Sequence, residues 1–322
     1  MDYGSIWMQN CDMREKSSRN STDSIDPKRL VLTLFIGHER DQMHPASGMS
    51  GVLHLGIDRA LDYVKGAAEL GVREFLVFGP ASTARDNEAS AATDLDSPVC
   101  TAIRKLSCSF PDCRFWGHVT LAHYTDHGGN YCLGSNGDID WELTTDRFCK
   151  ICAALAASGA GIVLPFLLRP GAISPIRSHL QSNGLEDTAV FSYGAKFRSS
   201  FYGPFNRSTG ITGNASEDLQ LEPWDREGAM EKISRDVSEG SEGIVIKPAL
   251  SYLDIILSAR SSTKLPLVAY MVSGEYMMLR HAAAAGIAEG GASMREAHTS
   301  IFRAGADLVI TYDALDLLKG IR

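Results

Sequence analysis

The chain has 322 residues, 44% hydrophobic and 22% charged, which supplies ample material for a core and excludes a disordered or fibrous protein. With 31 basic against 39 acidic residues the formal net charge is −8, which argues against a nucleic-acid or anionic-membrane binder. No apolar run reaches the roughly 18 residues of a membrane span, so none is expected.

Residues 1–28 are polar and aperiodic (MREKSSRNSTDS) and are expected to form a flexible arm. They lack the apolar stretch of a secretory signal, and Asp2, Asp12, Glu15, Asp23 and Asp26 do not suit a mitochondrial presequence, so a cytoplasmic protein is expected. The seven cysteines imply no disulfide framework in a chain of this length. Three sequons, at Asn20, Asn206 and Asn214, carry little meaning without a secretory route.

Residues 29–322 alternate apolar runs with helix-length amphipathic stretches. In chain order the first strand is expected over Leu30–Ile36, then a helix over Asp58–Gly71 and strands over Glu74–Gly79 and Phe115–Leu121. A helix over Asp146–Gly159 follows, with strands at Gly161–Pro165, Thr188–Phe197, Gly243–Pro248 and Leu265–Gly274. A last helix, Ser293–Gly305, precedes a strand over Asp307–Tyr312. Each of these three helices ends in glycine, the preferred C-terminal residue. Most of the strands are continuously apolar, as in a parallel sheet covered on both faces. Eight right-handed βα units over about 290 residues suit a single (β/α)8 TIM barrel. An open doubly wound sheet is the alternative, though no glycine-rich nucleotide loop follows any strand. Cys149 and Cys152 form a CxxC inside the helical stretch Asp146–Gly159, where buried packing is expected rather than a redox pair.

Catalytic groups of a barrel sit at the C-terminal ends of its strands. Lys196, in AVFSYGAKF, and Lys247, in GIVIKP, both occupy that position. Burial and mutual repulsion would leave a neutral amine that attacks a carbonyl to form a Schiff base. Ser273 and Tyr312 close the next two strands, where hydroxyls suit a substrate carboxylate or proton relay, or merely cap the rim.

SYGAKFRSSFYGPF, IVIKPALSYLDII, VAYMVSGEYMML and RAGADLVITY together resemble the porphobilinogen synthase (5-aminolevulinate dehydratase) family. The resemblance runs from about Leu30 to the C-terminus and includes FLVFGPA, SPVCTAIRKLSCSFPD and NGDID. It implies the barrel, an arm that embraces a neighbouring subunit in a homo-oligomer (dimer to octamer), and condensation of two 5-aminolevulinate molecules into porphobilinogen. By resemblance Lys247 forms the Schiff base with the first (P-site) substrate, and Ser273 and Tyr312 hold its carboxylate. Lys196 serves the second (A-site) substrate, while Phe201, Tyr202 and Pro204 shape the pocket wall.

The departures from the family cluster on one side. Zinc-dependent members carry three cysteines in a run that reads HVTLAHYTDHGGNYCLG here, His118 to Gly134. Their places are taken by Thr120, Ala122 and Asn130, and a family aspartate by His118. No usual metal cofactor is therefore expected, with zinc or magnesium left open. His118, His123, His127 and Cys132 form the alternative replacement set, although a strand end plus a loop rarely aligns four ligands. The family's SDMMDGR is FLLRPGA here, which puts Leu167, Pro170 and Ala172 where it has charges. Of its A-site arginines, the first becomes Asn206 beside Arg207 and the second falls near Ser216, with Gln220 retained beyond. Arg85 on the loop after the second strand matches the family's lid region, where a solvated charge is the blander reading.

The P side thus reads as complete and the A side as dismantled. The expected function is a Schiff-base lyase acting on 5-aminolevulinate or a related keto acid, with a different and less charged second reactant or none. One alternative is the parent reaction without metal. Another is a catalytically silent ligand-binding or regulatory subunit, against which both lysines weigh.

Overall fold

The computed structural model describes residues 25–209 and 219–320. The expected arm up to residue 24, and the segment around Ser216, lie outside the described residues. Eight parallel strands close into a barrel: β1 (Leu30–Ile36), β2 (Glu74–Phe78), β3 (Arg114–Val119), β4 (Ile162–Pro165), β5 (Ala189–Lys196), β6 (Gly243–Lys247), β7 (Leu267–Tyr270) and β8 (Leu308–Thr311). Each hydrogen-bonds the next, and β8 returns to β1 in the register Leu30↔Val309, Val31↔Ile310. This is the expected TIM barrel. All eight strands lie within the predicted runs or one residue outside them. A short antiparallel pair, Met43–Pro45 with Leu53–Leu55, extends the sheet beyond the end of β1, and three-residue strands leave no periodicity to read.

The helices cover the outside. In α1 (Ile57–Glu69) the buried residues Ile57, Ala60, Val64 and Ala67 fall on one helical face. In α2 (Pro98–Ser109) Ser97 caps the N-terminus and Pro98 occupies the first turn. The helix predicted from Asp146 starts earlier, as α3 (Trp141–Ala157), because the Asp140 side chain accepts from the Leu143 N–H. Cys149 and Cys152 are buried within it, and burial pushes the Cys149 thiol up to about 11 and raises that of Cys152, which holds both protonated as packing groups. After α4 (Ile173–Ser182), the β5–β6 connection carries α5 (Gly203–Thr209) and α6 (Arg226–Ser238). Next come α7 (Leu253–Ser262), α8 (Ser273–Ala284), α9 (Gly290–Ala304) and α10 (Ala314–Lys319). Among the described residues no helix is long and apolar enough to cross a membrane.

One irregularity positions the site. Between Ser192↔Ile244 and Ala195↔Ile246, β5 spends three residues where β6 spends two. An extra residue reverses strand alternation, so Tyr193 and Lys196, three apart, both face the barrel interior. Gly194 lies inside this step on the outer side, where a Cβ would stand 2.6 Å from the Ile244 side chain. The two lysines end level with one another, Lys196 paired with Lys247.

Candidate active site

The C-terminal mouth of the barrel is walled by side chains from all eight strands or the residue just after. They are Phe35, Phe78, His118, Phe166, Tyr193, Lys247, Tyr270 and Tyr312, linked by ring contacts such as Phe35–Phe78 at 5.0 Å and Phe78–His118 at 4.6 Å. The Lys247 Nζ sits 4.2 Å from the Tyr270 ring centre, 5.3 Å from Tyr202 and 5.5 Å from Phe205. That of Lys196 sits 4.6 Å from Phe166 and 4.4 Å from Tyr202. Tyr202 is therefore shared by both amines, and its hydroxyl donates to the Phe197 carbonyl at 2.7 Å.

Both lysines are buried, at 5% and 7% exposure. Burial lowers the Lys247 amine from 10.5 to about 7, with Glu275 pulling it back upward. The cause is thus desolvation, the first of the two causes expected, while the further lowering expected from the neighbouring lysine is not among its causes. An amine lowered to about 7 is in part neutral near pH 7.

Ser273 is fully buried at the start of α8. Its Oγ accepts from the Phe205 N–H at 3.0 Å and donates weakly to the Phe201 carbonyl at 3.4 Å. Tyr312 shares a 3.2 Å hydrogen bond with the Tyr270 hydroxyl. Lys247, Lys196, Ser273, Tyr312, Phe201 and Tyr202 are therefore gathered around one mouth. Gly274 makes this possible, since a Cβ there would fall 2.5 Å from the Phe201 carbonyl oxygen. Gln220 is half-buried beside Leu221, whose N–H reaches the Lys196 carbonyl at 2.9 Å. Arg207 is exposed on α5, where its guanidinium lies against Gly48. Arg85 is exposed and donates to the Ser82 carbonyl of its own loop.

The alternative metal set does not assemble. Among the described residues no three His, Cys, Asp or Glu side chains converge as ligands. His118 turns inward, with Nδ1 3.3 Å from the Tyr193 hydroxyl. Burial first, then the positive charges of Lys247, His123 and Lys196, hold its imidazole well below the usual range. His123 is buried, His127 stacks on Tyr131 at 4.9 Å, and burial pushes the Cys132 thiol up to about 11. Thr120, Ala122 and Asn130 are tied together by other bonds. The Asn130 Oδ1 accepts from the Thr120 hydroxyl at 2.6 Å and from the N–H groups of Leu121 and Ala122 at 2.9 and 3.2 Å. Neutral oxygen donors already engaged in this way do not fit a thiolate-type zinc centre.

FLLRPGA divides differently from expectation. Phe166 faces Lys196, and Leu167 and Leu168 are buried in the core. Pro170, expected at the vacated half-site, instead lines an outer groove with Arg169, Trp141 and His179. Phe166, the residue directly after β4, is thus the member of this run seen against Lys196, and the run has turned to the outer groove by Arg169.

Reading from sequence found Phe201, Tyr202 and Tyr312 but not the rest of the aromatic wall, and gave no role to Glu275, a fully buried carboxylate. Glu275 accepts from the N–H groups of Ala249, Leu250 and Val272 at 3.3, 2.7 and 2.8 Å. Burial pushes its carboxyl up to about 7 against those donors. The signal available for it was an acidic residue two beyond Ser273, in an otherwise apolar helix start.

Comparison with known proteins is in keeping with this site. The family profile for delta-aminolevulinic acid dehydratase matches residues 9–320. The chain is 36% identical over 298 residues to delta-aminolevulinic acid dehydratase of Mycobacterium leprae, covering 91% of this chain and 90% of that one. It is 35% identical over 310 residues to the Bos taurus enzyme of the same name, with 94% of each covered. Its fold superposes with a TM-score of 0.88 on the crystal structure of delta-aminolevulinic acid dehydratase (porphobilinogen synthase) from Toxoplasma gondii ME49 in complex with the reaction product porphobilinogen. That match is 32% identical and covers 97% of this chain and 89% of the other. The chain belongs to the delta-aminolevulinic acid dehydratase family and is a lyase of the porphobilinogen synthase type.

Proposed function

We propose that Lys247 captures the ketone of 5-aminolevulinate as a Schiff base, and that the chain condenses two such molecules into porphobilinogen. The observation that carries this is the pair of buried amines, level on β5 and β6, one of them in part neutral near pH 7. The names of relatives from bacteria to mammals support the parent reaction over any other. In this reading Lys247 attacks C4 and water leaves, and the resulting iminium acidifies the neighbouring carbon for bond formation. Tyr312 and Ser273 receive the substrate carboxylate. The 3.4 Å donor bond of Ser273 is weak enough for its proton to turn toward that anion. Lys196 serves the second substrate, Phe201 and Tyr202 form the wall, and Gln220 and Arg207 guard the outer side. His118 and the Thr120–Asn130 cluster replace the metal centre, so we propose turnover without zinc or magnesium.

A second reading, with a different and less charged second reactant, is favoured by one specific observation. The wall beside Lys196 is Phe166, and the positions of the usual ligands are neutral Thr120 and Asn130. A silent ligand-binding subunit is not favoured, because a buried amine costs stability that folding alone does not require. Homo-oligomerisation through residues 1–28 and a cytoplasmic setting complete the proposal.

Borohydride trapping with 5-aminolevulinate followed by mass spectrometry tests it. An adduct at Lys247, lost in Lys247→Ala, supports the Schiff base, and no adduct sinks it. Colorimetric detection of porphobilinogen from chelator-treated protein supports the parent reaction. An adduct without porphobilinogen transfers the case to the second reading.

A further inference from the structure

Iminium formation places a cation where a neutral amine stood. In a chamber walled by Tyr193, Tyr202, Phe205 and Tyr270, that charge has little water to stabilise it. Among the described residues the titratable groups around Lys247 are Lys196 and Tyr193 on β5, His118 on β3, Tyr270 on β7, Tyr312 after β8 and Tyr202 before α5. None of them is an anion at neutral pH. Among the described residues the carboxylate that acts on Lys247 is that of Glu275 on α8.

Its placement is specific. Two of the N–H groups that Glu275 accepts from, Ala249 and Leu250, belong to the turn two and three residues beyond Lys247. The third, Val272, precedes Ser273. The carboxylate thus joins the turn leaving the nucleophile to the segment carrying the proposed carboxylate-binding hydroxyl. Among the described residues its direct partners are backbone N–H groups, and no lysine, arginine or histidine forms an ion pair with it. A fully buried acid without a cationic partner is expensive, and a structural clamp could be built from a neutral side chain at lower cost.

We propose that Glu275 is the counter-charge of the Lys247 Schiff base, a positioning residue that ionises as the iminium forms and so keeps the closed chamber neutral. The inference rests on the Schiff-base reading above. The proton balance is simple. The Lys247 Nζ lone pair forms the C–N bond, the C4–O bond breaks, and the oxygen departs as water. The extra proton that water needs is matched by the proton Glu275 gives up, so amine, carboxylic acid and ketone become iminium, carboxylate and water. Burial moves the two groups toward one another, the lysine down and the glutamate up.

The test compares wild type, Glu275→Gln and Glu275→Asp, each also in a Lys247→Ala background, with 5-aminolevulinate as the probe. Half-saturation of the borohydride-trapped adduct should weaken about tenfold or more in Glu275→Gln and recover in part in Glu275→Asp. In the Lys247→Ala background, adding Glu275→Gln should change the calorimetric affinity for 5-aminolevulinate less than twofold. Equal weakening in both backgrounds would mean that Glu275 merely scaffolds the turn, and the proposal falls. Wild type alone supplies a second readout should the Glu275→Gln variant not fold. Calorimetry at about pH 5.5 in buffers of different ionisation enthalpy, where the free lysine is already charged and Glu275 still protonated, should give release of close to one proton per adduct, and an adduct formed without proton release overturns the proposal. Absence of any adduct in wild type is a separate result, which removes the Schiff-base reading and this inference with it.

Discussion

Lys247 illustrates at the residue scale how function opposes stability. Its amine falls from 10.5 to about 7 because burial penalises the charged form. The nucleophile is the neutral amine, so the rate of adduct formation should rise with pH, about tenfold per unit below 7, and flatten above it. Stopped-flow or quenched trapping between pH 5.5 and 9 (on the order of half-unit steps) would measure that profile. The same shift has a stability consequence. The folded pKa is depressed, so the folded state carries its full penalty below pH 7, where the buried lysine must be charged. That penalty disappears as pH rises toward 10.5, where the unfolded chain also loses its proton. Lys247→Met should accordingly raise stability by roughly 1–3 kcal/mol near neutral pH while abolishing the adduct. Denaturant titration at two pH values would detect the gain and its decline on the alkaline side.

At the scale of elements, the site depends on two close approaches that only glycine permits, Gly194 against Ile244 and Gly274 against Phe201. Gly274 brings the start of α8 against the backbone of Phe201, 2.5 Å from a built Cβ to the carbonyl oxygen. Gly274→Ala should cost about 1–3 kcal/mol and weaken 5-aminolevulinate binding as well, because Ser273 would be pushed off the Phe205 N–H. Chemical denaturation and calorimetry would separate the two effects. A loss of stability with unchanged binding would remove Ser273 from the site. How much could be read beforehand follows from the same elements. The strands were legible because short, continuously apolar runs between amphipathic helices bury both faces only as strands of a covered sheet, and both lysines stood at their ends. The facing of Tyr193 was not legible, since the extra residue in β5 exists only in its pairing with β6. Period-two counting from Lys196 puts Tyr193 on the wrong face. The Met43–Pro45 and Leu53–Leu55 pair was too short to leave a pattern, and Pro170 was misplaced because sequence does not show where a loop leaves the mouth.

The whole molecule separates chemistry from stability along the barrel axis. Titrating and aromatic groups collect at the C-terminal mouth, while the opposite end is closed by an inward-facing ionic cluster at the starts of β2 and β3. There Glu74, 7% exposed, accepts from the Arg114 guanidinium and from the Trp116 indole N–H at 2.7 Å. Arg114 Nη2 is 2.5 Å from the carboxylate, and the Nε approaches its second oxygen at 3.0 Å, a two-point grip. Removing one partner of such a pair leaves a buried charge uncompensated, at a cost of about 3–5 kcal/mol. Arg114→Met should therefore lower the unfolding midpoint sharply, while Glu74→Gln with Arg114→Met, which removes both charges, should recover most of the loss. Neither change touches the mouth, about four residues up the strands, so the fraction of folded protein trapped by borohydride at saturating 5-aminolevulinate should match wild type in both. An adduct yield that fell in step with stability would show that the two ends of the barrel are coupled, and that the chamber's geometry depends on the ionic floor beneath it.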